Sequence, residues 1–120
     1  MAKVTGVGGV FFKARDPKAL AAWYVEKLGV PNSGGYMAFD GPESMGITVF
    51  STFLENTTYF GDGPQQFMLN FRVDDLDALL TQLTEAGVRI DPKRQDESYG
   101  RFAWIWDPEG NRIELWQPLG

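Results

Sequence analysis

Apolar positions along this chain recur with two periods: every second residue in some stretches, as in strands, and every third or fourth in others, as in helices. Val4 to Ala14 carries Gly6, Gly8 and Gly9 before Phe11-Phe12, and reads as a first strand weakened early by glycine. Asp16-Pro17 has the chemistry of a helix start, an N-cap followed by a proline at the first helical position. Leu20, Trp23, Tyr24 and Leu28 then mark a buried helical face, and Gly29 a left-handed end. Tyr36 to Phe39 and Ile47 to Phe50 read as short strands separated by turn residues at Gly41 to Gly46. Thr52 to Gln66 has the composition of a connecting segment or flap, with Phe53, Tyr59 and Phe60 to pack it down.

The second part of the chain follows the same grammar. Phe67 to Val73 alternates Phe67, Leu69 and Phe71 with Met68, Asn70 and Arg72. Asp74-Asp75 starts a helix with an apolar stripe at Leu76, Leu79, Leu80 and Leu83, and Gly87 ends it. Val88 to Ile90 begins a strand, and Asp91 to Ser98 reads as a charged loop. Arg101 to Trp106 and Arg112 to Gln117 are aromatic-rich alternating runs joined by Asp107-Pro-Glu-Gly-Asn111, which predicts a β-hairpin. Its unusual member is Glu114, a carboxylate in mid-strand on the same face as Trp116.

An internal repeat runs through this order. A shift of 58 residues lays Asp16 on Asp74, Gly29 on Gly87 and Val30 on Val88. A shift of 66 lays Pro42-Glu43 on Pro108-Glu109 and Phe50 on Trp116. The chain is therefore expected to be one domain, 1–120, made of two β-α-β-β-β halves, 1–58 and 59–120.

Composition then narrows the chemistry. A chain of 120 residues that is 43% apolar can bury a real core. No apolar run reaches the length of a membrane span and the start lacks a signal-peptide core, so the expectation is a cytoplasmic protein with no membrane partner. A net charge of −5 without a Lys/Arg cluster argues against nucleic acid. There is no cysteine and no histidine, which removes thiolate and imidazole both as metal ligands and as catalytic groups. The 14% of aromatic residues suits either a packed core or an aromatic-lined cleft.

Three stretches carry a resemblance: Gly8-Gly-Val-Phe-Phe-Lys-Ala-Arg-Asp-Pro-Lys-Ala-Leu-Ala-Ala-Trp-Tyr24, Phe71-Arg-Val-Asp-Asp-Leu-Asp77 and Asp107-Pro-Glu-Gly-Asn-Arg-Ile-Glu-Leu-Trp-Gln117. Together they resemble the vicinal oxygen chelate superfamily, which includes glyoxalase I, extradiol dioxygenases and the fosfomycin and bleomycin resistance proteins. The resemblance implies an α+β fold of two βαβββ modules, a curled mixed sheet with a central cleft and outer helices, often completed by a homodimer. In metal-using members, His and Glu side chains from equivalent strands hold a divalent ion. Carried over position by position, those ligands fall on Gly9, Thr48, Met68 and Glu114. One carboxylate and one hydroxyl do not make a Zn, Ni or Fe site. The expectation is a lost metal centre and no cofactor, with Mg or Mn on Glu114 and a further acid as the route left open.

Glu114 has two readings. It can pair with Arg112, Arg101 or Arg15 or simply face water, or it can be a partly buried carboxylate with a raised pKa, serving as a general base or binding a cation. Three function hypotheses follow. The first is a metal-free cleft for a small apolar or aromatic molecule, lined by Trp104, Trp106, Trp116, Phe50 and Met68, with Tyr99 and Arg72 as further contacts. The second is a lyase or isomerase with Glu114 as base and a weakly held metal. The third is a structural or regulatory homodimer whose cleft has closed.

Overall fold

A computed structural model describes residues 1–33, 36–40 and 46–119. Residues 41–45 of the turn expected at Gly41 to Gly46, and with them the Pro42-Glu43 half of the longer repeat, lie outside them. The elements are β1 (Val4–Ala14), α1 (Pro17–Leu28), β2 (Asn32–Ser33), β3 (Tyr36–Phe39), β4 (Thr48–Leu54), β5 (Phe67–Val73), α2 (Leu76–Glu85), β6 (Ile90–Glu97), β7 (Gly100–Trp106) and β8 (Arg112–Pro118). The order β-α-β-β-β thus occurs twice, and the fold is the α+β glyoxalase-like one. The chain forms two compact units, Gly8–Met68 and Met1–Val7 with Leu69–Gly120, called here the N-terminal and C-terminal units.

In the C-terminal unit the strands run β5-β8-β7-β6, with β5 and β8 parallel and the remaining pairs antiparallel. Asp75 caps α2 by accepting a hydrogen bond from the Ala78 backbone N–H, and Gly87 follows the helix at φ 80°. The apolar stripe behaves as its spacing predicts. Leu76 and Leu79 are buried with Val73, Ala103 and Leu115, and Leu80, Leu83, Ile105 and Ile113 pack around them. This core takes up one face of the sheet. By the two-residue period of a strand, Asn70, Arg72, Phe102, Trp104, Trp106, Arg112, Glu114 and Trp116 belong to the other face.

The N-terminal unit has the strand order β2-β3-β4-β1, with β1 and β4 parallel. Asp16 accepts from the Ala19 N–H, Pro17 opens α1, and Gly29 closes it at φ 69°. Under α1, Tyr24 meets Phe12 and Phe50 edge-on at 5.9 and 5.0 Å. The opposite face is covered by the chain's own aromatics. Phe11 contacts Phe53 and Tyr59, Tyr59 stacks on Phe53 at 5.5 Å, and Phe60 is fully buried.

Three expectations are corrected. Asp91–Glu97, read as a charged loop, is most of strand β6, which pairs only with β7. An edge strand keeps one side in water and so tolerates Pro92 and a run of charges that a central strand would not. Thr52–Leu54, read as the start of the connecting segment, completes β4. No residue of α1 is fully buried, and Trp23 and Leu28 are 47% and 63% exposed, so the expected inward face is carried by Tyr24.

Candidate functional site

Pairing in the C-terminal sheet decides where Glu114 sits. Asn70 on β5 lies opposite Glu114 on β8, and Trp104 on β7 lies opposite it from the other side. The three side chains form a row across three strands. Asn70 Nδ2 donates to Glu114 Oε1 at 2.5 Å and Trp104 Nε1 donates to Oε2 at 3.0 Å. Glu114 and Asn70 are each 2% exposed and Trp104 not at all. Burial disfavours the charged carboxylate, while these two donors favour it, each such bond to an ionised group being worth about 1.5–3 kcal/mol. Asn70 has spent its amide on this bond, and its own Oδ1 is buried without a hydrogen-bond partner. A carboxylate and an orphaned amide oxygen are therefore neighbours in one row.

Two of the arginines expected near Glu114, Arg112 and Arg101, have carboxylate partners of their own, and Arg15 belongs to the N-terminal unit. Arg112 Nη2 donates to Asp91 Oδ2 at 2.9 Å, and Arg101 reaches Asp77 at 3.4 Å. The Arg112 bond, helped by the Lys93 backbone N–H, holds the Asp91 carboxyl below its ordinary range. Arg72, expected as a further contact for a ligand, is 8% exposed, and its Nη1 donates to the Val7 carbonyl at 2.8 Å. Gly6 makes room for it, because a Cβ there would stand 2.6 Å from Arg72 Nη2. Gly6→Ala is expected to push the guanidinium off that carbonyl and, because only the tip of a flexible side chain has to move, to lower stability by about 1 kcal/mol, the size of the hydrogen bond lost, read as a fall in the urea midpoint. An unchanged midpoint would show that Arg72 is not held there.

The tryptophans are engaged by the chain itself. Arg89 lies over Trp106 at 3.9 Å, Arg112 over Trp104 at 5.0 Å, and Lys93 over Trp104 at 5.0 Å. Trp116 stacks on Phe102 at 6.1 Å with the rings 3° from parallel, and its Nε1 is buried without a partner. Tyr99 is 58% exposed and meets Phe102 edge-on. Phe50 and Met68 belong to the N-terminal unit, where Phe50 packs beneath Tyr24 and Met68 is 1% exposed. Two open grooves of about 630 and 780 Å³ flank the start and outer side of α1, and neither is lined by Glu114 or by any of the residues expected to line the cleft.

The metal positions carried over from the resemblance do not form a donor set. With Asp16 and Asp75 as the two helix caps, Gly9 corresponds to Met68 and Phe11 to Asn70. A Cβ at Gly9 would lie 2.8 Å from the Phe11 ring, so a side-chain ligand has no room there. Thr48 is corrected as the counterpart of Glu114. It shares the helix-bearing face with Phe50 and Thr52, whose hydroxyl donates to the Pro17 carbonyl. Register puts Ser51 there instead, because Ser51 pairs with Phe11 as Glu114 pairs with Asn70. Among the described residues no group of three His, Cys, Asp or Glu side chains could hold a metal ion.

Sequence reasoning named Glu114 but not its partner Asn70, and it named Arg112 without its partner Asp91. For Asn70 the only signal was its alternation with Leu69 and Phe71. For Asp91, the loop reading of β6 hid its partner.

Comparison with known proteins agrees with this fold. Residues 9–116 match the model of the glyoxalase-like domain family. The uncharacterized protein YraH of Bacillus subtilis is 30% identical, the match covering 87% of this chain and 91% of that protein. Among solved structures, methylmalonyl-CoA epimerase from Mycobacterium tuberculosis has a TM-score of 0.71 at 24% identity, covering 98% of this chain and 90% of that one. A Streptomyces coelicolor methylmalonyl-CoA epimerase variant has 0.73 at 15% identity, covering 98% and 100%. The chain belongs to the glyoxalase-like domain family.

Proposed function

We propose that this protein binds a small apolar or aromatic molecule without a metal ion, and that Glu114 and Asn70 read a hydrogen-bond donor on it. The observation that carries the reading is the orphaned Asn70 Oδ1 beside the Glu114 carboxylate. A buried acceptor left unpaired costs about 1–3 kcal/mol, which a ligand O–H or N–H would recover. Phe102 and Trp116, both partly exposed, would hold the ring of such a ligand. Metal independence rests on the donor chemistry, since Gly9 and Met68 offer no hard ligand and the two side chains bonded across the strands to Glu114 are an amide and an indole, both donating.

A second reading is an isomerase or lyase in which Glu114 takes a proton. Its burial favours this, as does the fold shared with proteins named as epimerases. Elemental analysis of the protein purified without chelator separates the two. The binding reading expects no stoichiometric divalent metal. Stoichiometric metal in the wild type, lost in Glu114→Gln, would overturn it and favour the enzyme.

A further inference from the structure

The outer part of the C-terminal sheet carries a cationic feature that the reading of Glu114 does not use. Arg89 is exposed, yet its guanidinium lies over the Trp106 ring, with Cζ 3.9 Å from the ring centroid. Its backbone is fixed too, since the Trp106 N–H donates to the Arg89 carbonyl at 3.0 Å. Among the described residues no hydrogen bond or ion pair engages the Arg89 guanidinium. Arg94, Arg101 and Arg112 by contrast all have aspartate partners. Stacking uses the faces of a guanidinium and leaves its in-plane N–H fork to meet an oxyanion.

Lys93 adds a second cation. From Ile90 to Arg94 strand β6 advances four residues while its partner β7 moves two, from Ile105 to Ala103. The extra residues form a bulge, a device that re-aims side chains. Asp91 Oδ1 accepts from the Lys93 backbone N–H at 2.9 Å, and the Lys93 ammonium stands over Trp104 at 5.0 Å. Asp91 meanwhile neutralises Arg112 rather than Arg89. Trp104 and Trp106 are two residues apart on one strand, so their positions are separated by about 7 Å. Two cations are thus held above neighbouring tryptophans on a chain whose net charge is −5.

We propose that Arg89 and Lys93, supported by Trp106 and Trp104, form a second binding site for a small dianion, a phosphate or a short dicarboxylate. The Arg89 fork grips two oxygens, and Lys93 neutralises the remaining charge. The aromatic support lowers the entropy lost when the long side chains are ordered.

The test is titration of the full chain with inorganic phosphate and, separately, malonate. It is followed by NMR at the Arg89 Nε–H and Trp106 Nε1–H signals. Saturable shifts are expected with at least one anion, and which one it is names the source. Arg89→Gln should weaken that binding at least tenfold and Arg89→Lys severalfold, because the ammonium has no fork. Added potassium chloride should weaken it as well. Arg89 is exposed, so both variants should keep the wild-type Tm. Arg89→Gln should also keep any Glu114-dependent binding of a neutral ligand, which separates this site from the first. Absence of saturable shifts with both anions, or equal affinity in Arg89→Gln, would overturn the proposal.

Discussion

Replacing Glu114 with alanine is expected to cost about 4 kcal/mol of stability, far more than replacing it with glutamine. Alanine leaves the Asn70 amide and the Trp104 indole N–H buried without their acceptor, and it opens a cavity between two strands. Each orphaned donor costs about 1–3 kcal/mol and the cavity adds to that. Glutamine fills the same volume. With the Asn70 amide turned over, its Oδ1 can accept from the new amide, while Trp104 keeps an oxygen to donate to. Glu114→Gln should therefore lose only about 1 kcal/mol. Urea denaturation of both variants measures the difference. Equal losses would mean that the row of three side chains does not act as a hydrogen-bonded unit.

Asp91→Ala is expected to cost about 3 kcal/mol at neutral pH, because it strips the partner from a largely buried guanidinium. The Arg112 and Asp91 side chains are 7% and 18% exposed. The effect should also depend on pH in one direction. Asp91 is held below its ordinary 3.8 by the Arg112 hydrogen bond first and the Lys93 backbone N–H second. A carboxyl with a depressed folded pKa contributes its full stability above the unfolded value and loses it as pH falls through the folded one. The gap between wild type and variant should stay constant from neutral pH to about 4 and shrink below that. Denaturation midpoints across that range test it. A gap unchanged at strongly acid pH would place the effect in packing rather than in the ion pair.

Much of the fold was legible because it is written in local chemistry. Asp16-Pro17, Asp75, Gly29 and the Asp107–Asn111 turn each fix a boundary with residues a few positions apart. The alternation in β5, β7 and β8 separated Asn70, Trp104 and Glu114 from Phe71, Ala103 and Leu115, and the structure shows that the latter set is the one packed under α2. The misreadings arose where a distant or missing neighbour decides. Strand β6 has no apolar alternation, because its bulge and its edge position let its charged residues be exposed or pair with charges elsewhere, as Asp91 does with Arg112 and Arg94 with Asp77. Thr48 was matched to Glu114 by a repeat offset that shifts the strand by an odd number of residues, which turns a side chain to the other face. The partners of Glu114 were hidden for the same reason. Asn70 is 44 residues away in sequence, and only the parallel pairing of β5 with β8 brings the two together.

The central claim is that the Glu114–Asn70 pair reads a hydrogen-bond donor without a metal. The most direct measurement is calorimetric titration, in the presence of a chelator, with aromatic molecules in matched pairs. Phenol is set against anisole, and indole against its N-methyl derivative. The account predicts at least tenfold tighter binding of the member that carries the O–H or N–H, and loss of that preference in Glu114→Gln. Equal binding of both members of each pair, or a preference unchanged in Glu114→Gln, would contradict it.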